Sequence, residues 1–137
     1  MNAPSRDIVD ILESYGDSSG FDLALSFANN LHVGREPATP INCVTIFDVE
    51  GYPPELNLIT QGYEYPSIQI RVRNKQYLTA MSLAQDIKDA LHGRSHVTVN
   101  GALYTVIYAI GNPALLDYDD NGNARVILNI NLQRKAA

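Results

Sequence analysis

The 137-residue sequence contains a single cysteine, Cys43, so no disulfide can form within the chain and nothing indicates an oxidising compartment. It has no apolar run near the ~18 residues needed to span a bilayer, and its first residues lack the apolar core of a signal peptide. Basic residues are also few: 10 Lys and Arg stand against 15 Asp and Glu, for a net charge of −5. This balance weighs against general nucleic-acid binding.

Catalytic motifs are missing as well. The sequence has no G-x-S-x-G, no P-loop and no G-x-G-x-x-G. Cys43 lies in an apolar run, where a free cysteine is usually a packing residue rather than a nucleophile. The three histidines, His32, His92 and His96, have no metal-ligand spacing. The sequence therefore predicts no enzyme activity, no cofactor and no metal site.

What the sequence does contain is a strand that leads directly into a helix. Ile68, Ile70 and Val72 alternate with polar residues, the period of a strand with one buried face. Asn74 is a predicted N-cap, and Gly93 suits a left-handed C-terminal cap. Between them a helical spacing of three and four predicts one apolar stripe. Its members are Ala80, Leu83, Ala84, Ile87, Ala90 and Leu91.

In the part of the chain before this strand and helix, the sequence predicts one helix, two extended pieces and a long loop. Ser5 is a predicted N-cap for a helix through about Tyr15, with apolar residues on one face. Residues 21–28 fit helix and strand equally and are left unassigned. The remaining predictions are a short extended piece at residues 31–34, a central strand at 43–49 and a long irregular loop at 50–66.

In the part of the chain after this strand and helix, the sequence predicts a meander of strands. Residues 96–99 and 104–110 are β-rich and are separated by Asn100-Gly101, a strong tight-turn signal. A last strand is predicted at residues 125–133, after a second Asn-Gly hairpin tip at 117–123. We therefore expect one α+β domain over residues 1–137, a mostly antiparallel sheet with two main helices packed on one face.

Arg71, Arg73 and Lys75 lie within five positions and are predicted to share one face of an extended strand. Two interpretations remain open: a solvated face that protects a sheet edge from pairing, or a positive patch for a partner's carboxylates or DNA phosphates. In the second case, acids of the preceding loop are plausible partners across a subunit boundary. These are Glu50, Glu55 and Glu64.

The hairpin tip is acidic and also has two interpretations. Asp117, Asp119, Asn121 and Gly122 fit the first positions of a calcium loop, but Leu128 stands where the bidentate Glu belongs and the flanks are β-rich. A solvated acidic corner is therefore the favoured interpretation. If it contacts a basic partner surface, the residues that do so are Asp117, Asp119 and Asp120.

Three landmarks carry a resemblance to a known family. They are residues 30–37 (Asn-Leu-His-Val-Gly-Arg-Glu-Pro), residues 66–73 (Pro-Ser-Ile-Gln-Ile-Arg-Val-Arg) leading into a helix, and the hairpin of residues 117–123 with its return strand. In this order, and over residues 4–134, the chain resembles the minor capsid and tail-terminator proteins of long-tailed bacteriophages.

The resemblance implies an α+β domain that assembles as a six-subunit ring at the head-proximal end of the tail. There it would stop growth of the tail tube and join the filled head, so the implied partners are other copies, the tail tube protein and head-completion or connector proteins. DNA would only pass through the lumen, and no membrane or cofactor is implied. The implied location is the tail or neck of the virion, after assembly in the host cytoplasm.

Two alternatives remain beside the tail terminator. One is a neighbouring head–tail connector ring, which is built from similar small domains. The other, from a different class, is a small soluble α+β enzyme or ligand-binding domain that uses the long loop as a lid.

Overall fold

The computed structural model describes residues 1–14, 23–53 and 62–137. Two helices and seven strands follow one another along these parts of the chain. In order they are α1 (Pro4–Glu13), β1 (Leu31–Val33), β2 (Cys43–Tyr52), β3 (Tyr65–Asn74), α2 (Tyr77–Leu91), β4 (Val97–Val99), β5 (Ala102–Ala109), β6 (Ala114–Tyr118) and β7 (Ala124–Ala136).

The strands form one sheet in the order β1-β2-β3-β7-β5-β4, with β6 also paired to β7. Only the β1–β2 pair is parallel, and every other pair is antiparallel. Along one edge β7 pairs with β3, and along the other it pairs first with β6 and then with β5. The expected α+β class with a mostly antiparallel sheet is confirmed.

The core lies on one face of the sheet, and both helices pack there. Ile68, Ile70 and Val72 of β3 are buried, opposite their β7 partners Ile130, Leu128 and Val126, as the alternation predicts. On α2 the predicted stripe faces this surface, and α1 contributes four apolar residues to it. Those four residues are Ile8, Val9, Ile11 and Leu12.

The start of α1 differs from the prediction. The helix begins at Pro4, with Pro at its first turn, and Ser5 is not its N-cap. A carboxylate from the sheet stands in for the missing cap: the Ser5 backbone N–H and Oγ donate to Asp48 of β2 at 2.9 and 2.7 Å. A carboxylate is favourable at this position because the helix N-terminus carries partial positive charge. The predicted end at Tyr15 lies outside the described residues.

The start of α2 differs as well. Asn74 is the last residue of β3, and Gln76 occupies the N-cap position without a side-chain cap bond. The Asn74 side chain instead accepts the backbone N–H of Gln76 at 2.9 Å, so it shapes the turn that joins β3 to α2. At the other end Gly93 has φ +85°, which confirms the predicted left-handed residue after the helix.

The loop predicted at residues 50–66 is shorter than expected at both ends. β2 continues to Tyr52 and β3 begins at Tyr65, so the two strands extend as a hairpin. The register shifts between Val49 and Tyr52, where Gly51 has φ +71° and a side chain would lie 2.3 Å from the Tyr65 carbonyl oxygen. This stretch was predicted as a loop because it is rich in Gly and Pro, but it contains a β-bulge at a position that only glycine can occupy. Residues 54–61 lie outside the described part.

The meander after α2 follows the prediction in its first turn and adds a strand. Asn100 and Gly101 both have positive φ and join β4 to β5 as a tight turn. No strand was predicted at Ala114–Tyr118, where β6 forms, because its residues do not alternate between buried and exposed. The hairpin tip therefore joins β6 to β7, and β7 runs beyond its predicted end at Gln133.

The stretch left unassigned at residues 21–28 forms neither helix nor strand over residues 23–28. Phe27 makes only an isolated bridge with Leu31, and residues 21–22 lie outside the described part. Within the described ranges, no helix is both long and apolar enough to cross a membrane.

Replacing Asp48 by Ala should destabilise the fold by about 1 kcal/mol, because the first turn of α1 loses its only side-chain acceptor. The loss can be measured by urea denaturation. Glu50→Ala is the matched control, since Glu50 lies on the same strand and forms no hydrogen bond or ion pair with any described residue. Equal stability of the two variants would contradict the capping role of Asp48.

Candidate assembly surfaces

Arg73 holds a loop against the sheet. Residues 34–41, here called the strap, cross the end of β3, where the Arg73 side chain is almost fully buried. Its guanidinium donates to the backbone carbonyl oxygens of Ile41 at 2.8 Å and Pro40 at 3.0 Å, and also to that of Pro37. The donors of Arg73 are thus used inside the chain, and this side chain is not available to a partner.

Glu36 supplies the countercharge beneath the strap. Its Oε1 accepts from both Arg73 and Arg125 at 3.0 Å, while its buried Oε2 has no hydrogen-bond partner in the described part of the chain. Arg125 also contacts Asp117 of β6 at 3.3 Å. One carboxylate therefore links the strap, β3 and β7, and it offsets the buried charge of Arg73 and the partly exposed charge of Arg125.

The predicted basic face is wrong in its composition. Arg71 and Arg73 do point to the same side of β3, but Arg73 is an interior anchor and Lys75 lies beyond the end of the strand. Lys75 is exposed, and its side chain forms no hydrogen bond or ion pair with any described residue. Only Arg71 remains as a strand cation that a partner could reach. The sequence could not show this, because alternation places a side chain on a face without showing what covers that face.

A cleft of about 740 Å³ opens beside the strap. Its wall combines apolar residues such as Phe27 and Val33 with cations such as Arg35 and Arg125. Cys43 does not line this cleft. Burial raises the pKa of its thiol, although the Arg73 charge acts in the opposite direction, so the thiol is not activated as a nucleophile. Among the residues the structure describes, no three His, Cys, Asp or Glu side chains are grouped so that they could hold a metal ion.

The side of β2, β3, β7 and β5 opposite the helices is called the open face. Because residues directly opposite in a ladder share a side, it carries rows such as Thr45–Arg71–Ile127 and Phe47–Gln69–Asn129. No Asp or Glu of these four strands points to this side. In a chain with a net charge of −5, such a face is chemically distinct from the rest of the surface.

Hydrogen bonds between side chains run across the open face. Ser67 donates to Asn131, Asn131 donates to the Tyr108 hydroxyl at 3.3 Å, and Gln69 donates to Asn129 at 3.3 Å. These amides and hydroxyls satisfy one another, so this part of the face can be covered without leaving them unpaired. Thr45 on the same face is fully buried, and its hydroxyl has no hydrogen-bond partner among the described residues.

Arg71 stands in the middle of the open face. Its guanidinium stacks on Phe47 with the central carbon 4.7 Å from the ring centroid, and its Nη2 donates to Gln69 at 3.1 Å. Its Nε is buried and has no acceptor among the described residues. The half-buried cation is therefore held in place but incompletely paired.

β6 forms an apolar edge. All five of its residues are exposed, including Leu115, Leu116 and Tyr118, and within the described ranges only β7 pairs with it. An exposed apolar strand with a free edge is a surface that proteins normally cover or protect. The sequence could not indicate β6, since a strand exposed on both faces has no period-2 pattern.

The acidic tip is organised by one of its carboxylates. Asp119 accepts the backbone N–H groups of Asn121 and Asn123 at 2.9 and 2.8 Å, and also the Asn123 side-chain amide. The side-chain hydrogen bond from Asn123, followed by its backbone hydrogen bond, lowers the pKa of Asp119. Asp117 pairs with Arg125, and Asp120 is exposed without a partner among the described residues. The tip is thus a turn held together by hydrogen bonds to Asp119, and Asp120 is its one acid without a partner among the described residues.

The three glutamates predicted as partners of the basic face differ in whether they are already paired within the chain. Glu64 pairs with Arg134 of the same chain at 3.0 Å, so it is already engaged. Glu50 is exposed, and it has no partner in the described ranges. Glu55 lies outside the described residues.

A buried polar cluster beneath α1 was not predicted from the sequence. Asp7 is fully buried; its carboxylate accepts from the Tyr104 hydroxyl at 2.6 Å and from Asn100 at 2.9 Å, and Arg134 approaches it to 3.5 Å. Burial, and next the hydrogen bond to Asp7, raise the pKa of Tyr104 well above its usual range. The cluster connects α1 to β5 and β7 over long sequence separations, and no local pattern can reveal such contacts.

The fold and these surfaces define a class of protein. Where the structure describes the chain, only three buried side-chain polar atoms lack a hydrogen-bond partner, no three His, Cys, Asp or Glu side chains are grouped to hold a metal ion, and the apolar edge of β6 and part of the open face are exposed. Such features are typical of a structural subunit that is built into a larger assembly.

The comparisons with known proteins agree with this class. The family model described as "Bacteriophage tail terminator protein" matches residues 12–135, and the chain belongs to that family. It is a structural protein of the phage tail or neck, a component of the virion. No curated protein matches the sequence significantly.

The structure is also similar to a solved one. A chain in the structure titled "Virion of native gene transfer agent (GTA) particle" superposes with a TM-score of 0.67 over 98% of this chain and 96% of that chain. The two sequences are 13% identical, so this likeness shows a shared fold.

Replacing Arg73 by Met should lower the free energy of unfolding by about 3 kcal/mol, because Glu36 keeps a buried charge with one cation fewer and the strap loses its anchor. Arg71→Met is the matched control on the same face of β3, and we expect it to cost about 0.5–1 kcal/mol. Urea denaturation measures both. A smaller loss for Arg73 than for Arg71 would contradict the anchoring role.

Replacing Asp119 by Ala should lower Tm near neutral pH, because the tip loses its acceptor. A carboxyl whose pKa is lowered by folding stabilises the fold above its unfolded pKa, and this contribution disappears as the pH falls through the lowered value. The Tm difference from wild type should therefore close below about pH 4. Asp120→Ala, which removes the free acid beside it, should show no such pH-dependent difference. A gap that persists unchanged at low pH would mean that the charge of Asp119 is not what holds the turn.

Proposed function

We propose that this chain is a tail terminator that forms a closed six-subunit ring at the head-proximal end of a phage tail tube. The ring would stop growth of the tube and provide the surface that joins tail to head. The observation that carries the proposal is the family match over residues 12–135, which spans almost every described element.

The exposed surfaces support assembly of this kind. A closed ring needs two different patches on each subunit, so that each copy binds its neighbour head to tail. The open face and the outer side of the helix layer are two such patches, and they lie on opposite sides of the sheet. The apolar edge of β6 is a further surface, which remains for a tube or head protein.

The charged residues predicted as interface candidates divide in two. Arg71, Lys75, Glu50 and Asp120 are reachable or unpaired, and we propose them as contacts with other copies or with virion partners. The others are engaged within the chain or lie outside the described part. Those are Arg73, Glu64, Asp117, Asp119 and Glu55.

The proposed partners are the tail tube protein on one side of the ring and a head-completion or connector protein on the other, with DNA passing through the lumen. A connector ring would share the fold and the ring, but it would bind the head in place of the tube. The ability to cap isolated tail tubes therefore separates the two roles.

The test is a capping experiment. Purified chain is added to polymerising tail tube protein, and tubes are examined by negative-stain electron microscopy. We expect shorter tubes with a ring at one end, and a ring mass near six times 15.1 kDa by native mass spectrometry. An unrelated acidic protein of similar size is the control.

Two results would count against the proposal. Tubes that keep growing, with no ring at either end, would exclude the terminator role. A native particle that contains one copy of the chain would exclude the ring.

A further inference from the structure

We propose that the open face of each subunit is covered by helix α2 of the next subunit, with Asp86 and Asp89 of that helix facing Arg71. This rests on the ring under Proposed function and names the surfaces that close it. Helices would then lie on both faces of every sheet in the assembly.

The open face needs a cover. It carries the stacked pair of Phe47 and Arg71 near its centre, and Val49 beside them is 46% exposed. The apolar area and the half-buried guanidinium of Arg71, which donates only to Gln69 among the described residues, would be stabilised by a partner that brings an acceptor. No Asp or Glu of the four strands points to this side, and Glu36 of the strap is already bound to Arg73 and Arg125, so a carboxylate for Arg71 has to come from another source.

The outer side of α2 offers what the open face lacks. Leu78, Ser82, Asp86 and Asp89 follow one another at helical spacing opposite the buried stripe, and all are exposed. Leu78, at 77% exposed, supplies an apolar contact. Asp86 and Asp89 form no hydrogen bond or ion pair with any described residue.

The one basic residue within α2 is already engaged. Lys88 donates to Asn112 of the same chain at 2.8 Å, which leaves the outer side of α2 predominantly acidic. An acidic helix face is complementary in charge to the surroundings of Arg71, where the four strands of the open face present no acid. This complementarity favours a second copy of this chain as the occupant.

The dimensions also agree. The 15 residues of α2 span about 22 Å. The four strands of the open face, spaced about 4.8 Å apart, present a width of about 19 Å. The two patches lie on opposite sides of one subunit, so their contact is head to tail, as a ring requires.

Cross-linking tests the geometry directly. A variant that carries both Asn129→Cys on the open face and Asp86→Cys on α2 is assembled on tail tubes and treated with a short bis-maleimide. Denaturing gels should show a ladder of covalent multimers. The sheet separates the two sites within one chain, and the native Cys43 is buried, so each rung reports a contact between copies. The two single variants, Asn129→Cys and Asp86→Cys, are the matched controls, and neither should give a ladder.

Charge reversal tests the energetics. Asn129→Glu adds an acid to the open face and leaves Arg71 in place, and it should raise the concentration at which half of the rings dissociate about tenfold. Arg71→Glu should do the same, and combining Arg71→Glu with Asp86→Arg and Asp89→Arg should restore assembly. Asn129→Gln, which changes the same side chain without adding charge, should leave assembly unchanged, and circular dichroism checks that each variant is folded.

The outcomes separate this inference from the proposed function. Capped tubes without a cross-link ladder would overturn the α2 contact and leave the terminator role standing. A ladder with failed rescue would keep the contact and overturn the facing of Arg71 by the two aspartates. DNA binding that is lost in Asn129→Glu, without a ladder, would assign the open face to DNA. Absence of both rings and capping would overturn the function itself.

Discussion

The ladder between β3 and β7 is the interaction on which the rest of the structure depends. Their pairing runs from Ser67 opposite Asn131 to Asn74 opposite Ala124, and a shift by one residue would turn the apolar side of one strand to the opposite face from that of the other. In the observed register one face collects the branched apolar side chains that receive the helices. The other face collects amides, hydroxyls and arginines, so a single register produces both the core and the surface left for assembly.

The parts of this fold that could be predicted from sequence are those with local causes. Alternation in β3 and β7, the apolar stripe of α2 and the Asn100-Gly101 turn each depend on residues a few positions apart, and each was confirmed. Element ends were less well predicted, because they depend on distant partners. Asp48 caps α1 from 43 residues away, so nothing near Pro4 or Ser5 could indicate where the helix begins.

The candidate surfaces were harder to predict for the same physical reason. Three nearby cations suggest a basic patch, yet the strap reaches Arg73 from more than 30 positions away and removes it from the surface. Glu64 is likewise paired with Arg134 across 70 positions. Sequence shows which residues are charged, while the topology decides which charges are already neutralised within the chain.

The way the strap is held has a consequence for how this protein can vary. Arg73 contacts the strap largely through main-chain oxygens, which every residue type provides. The anchor therefore recognises the path of the loop and not the identity of most of its side chains, with Glu36 as the exception. Related chains could change the outward chemistry of this loop, and so the partner it meets, while the sheet beneath it stays the same.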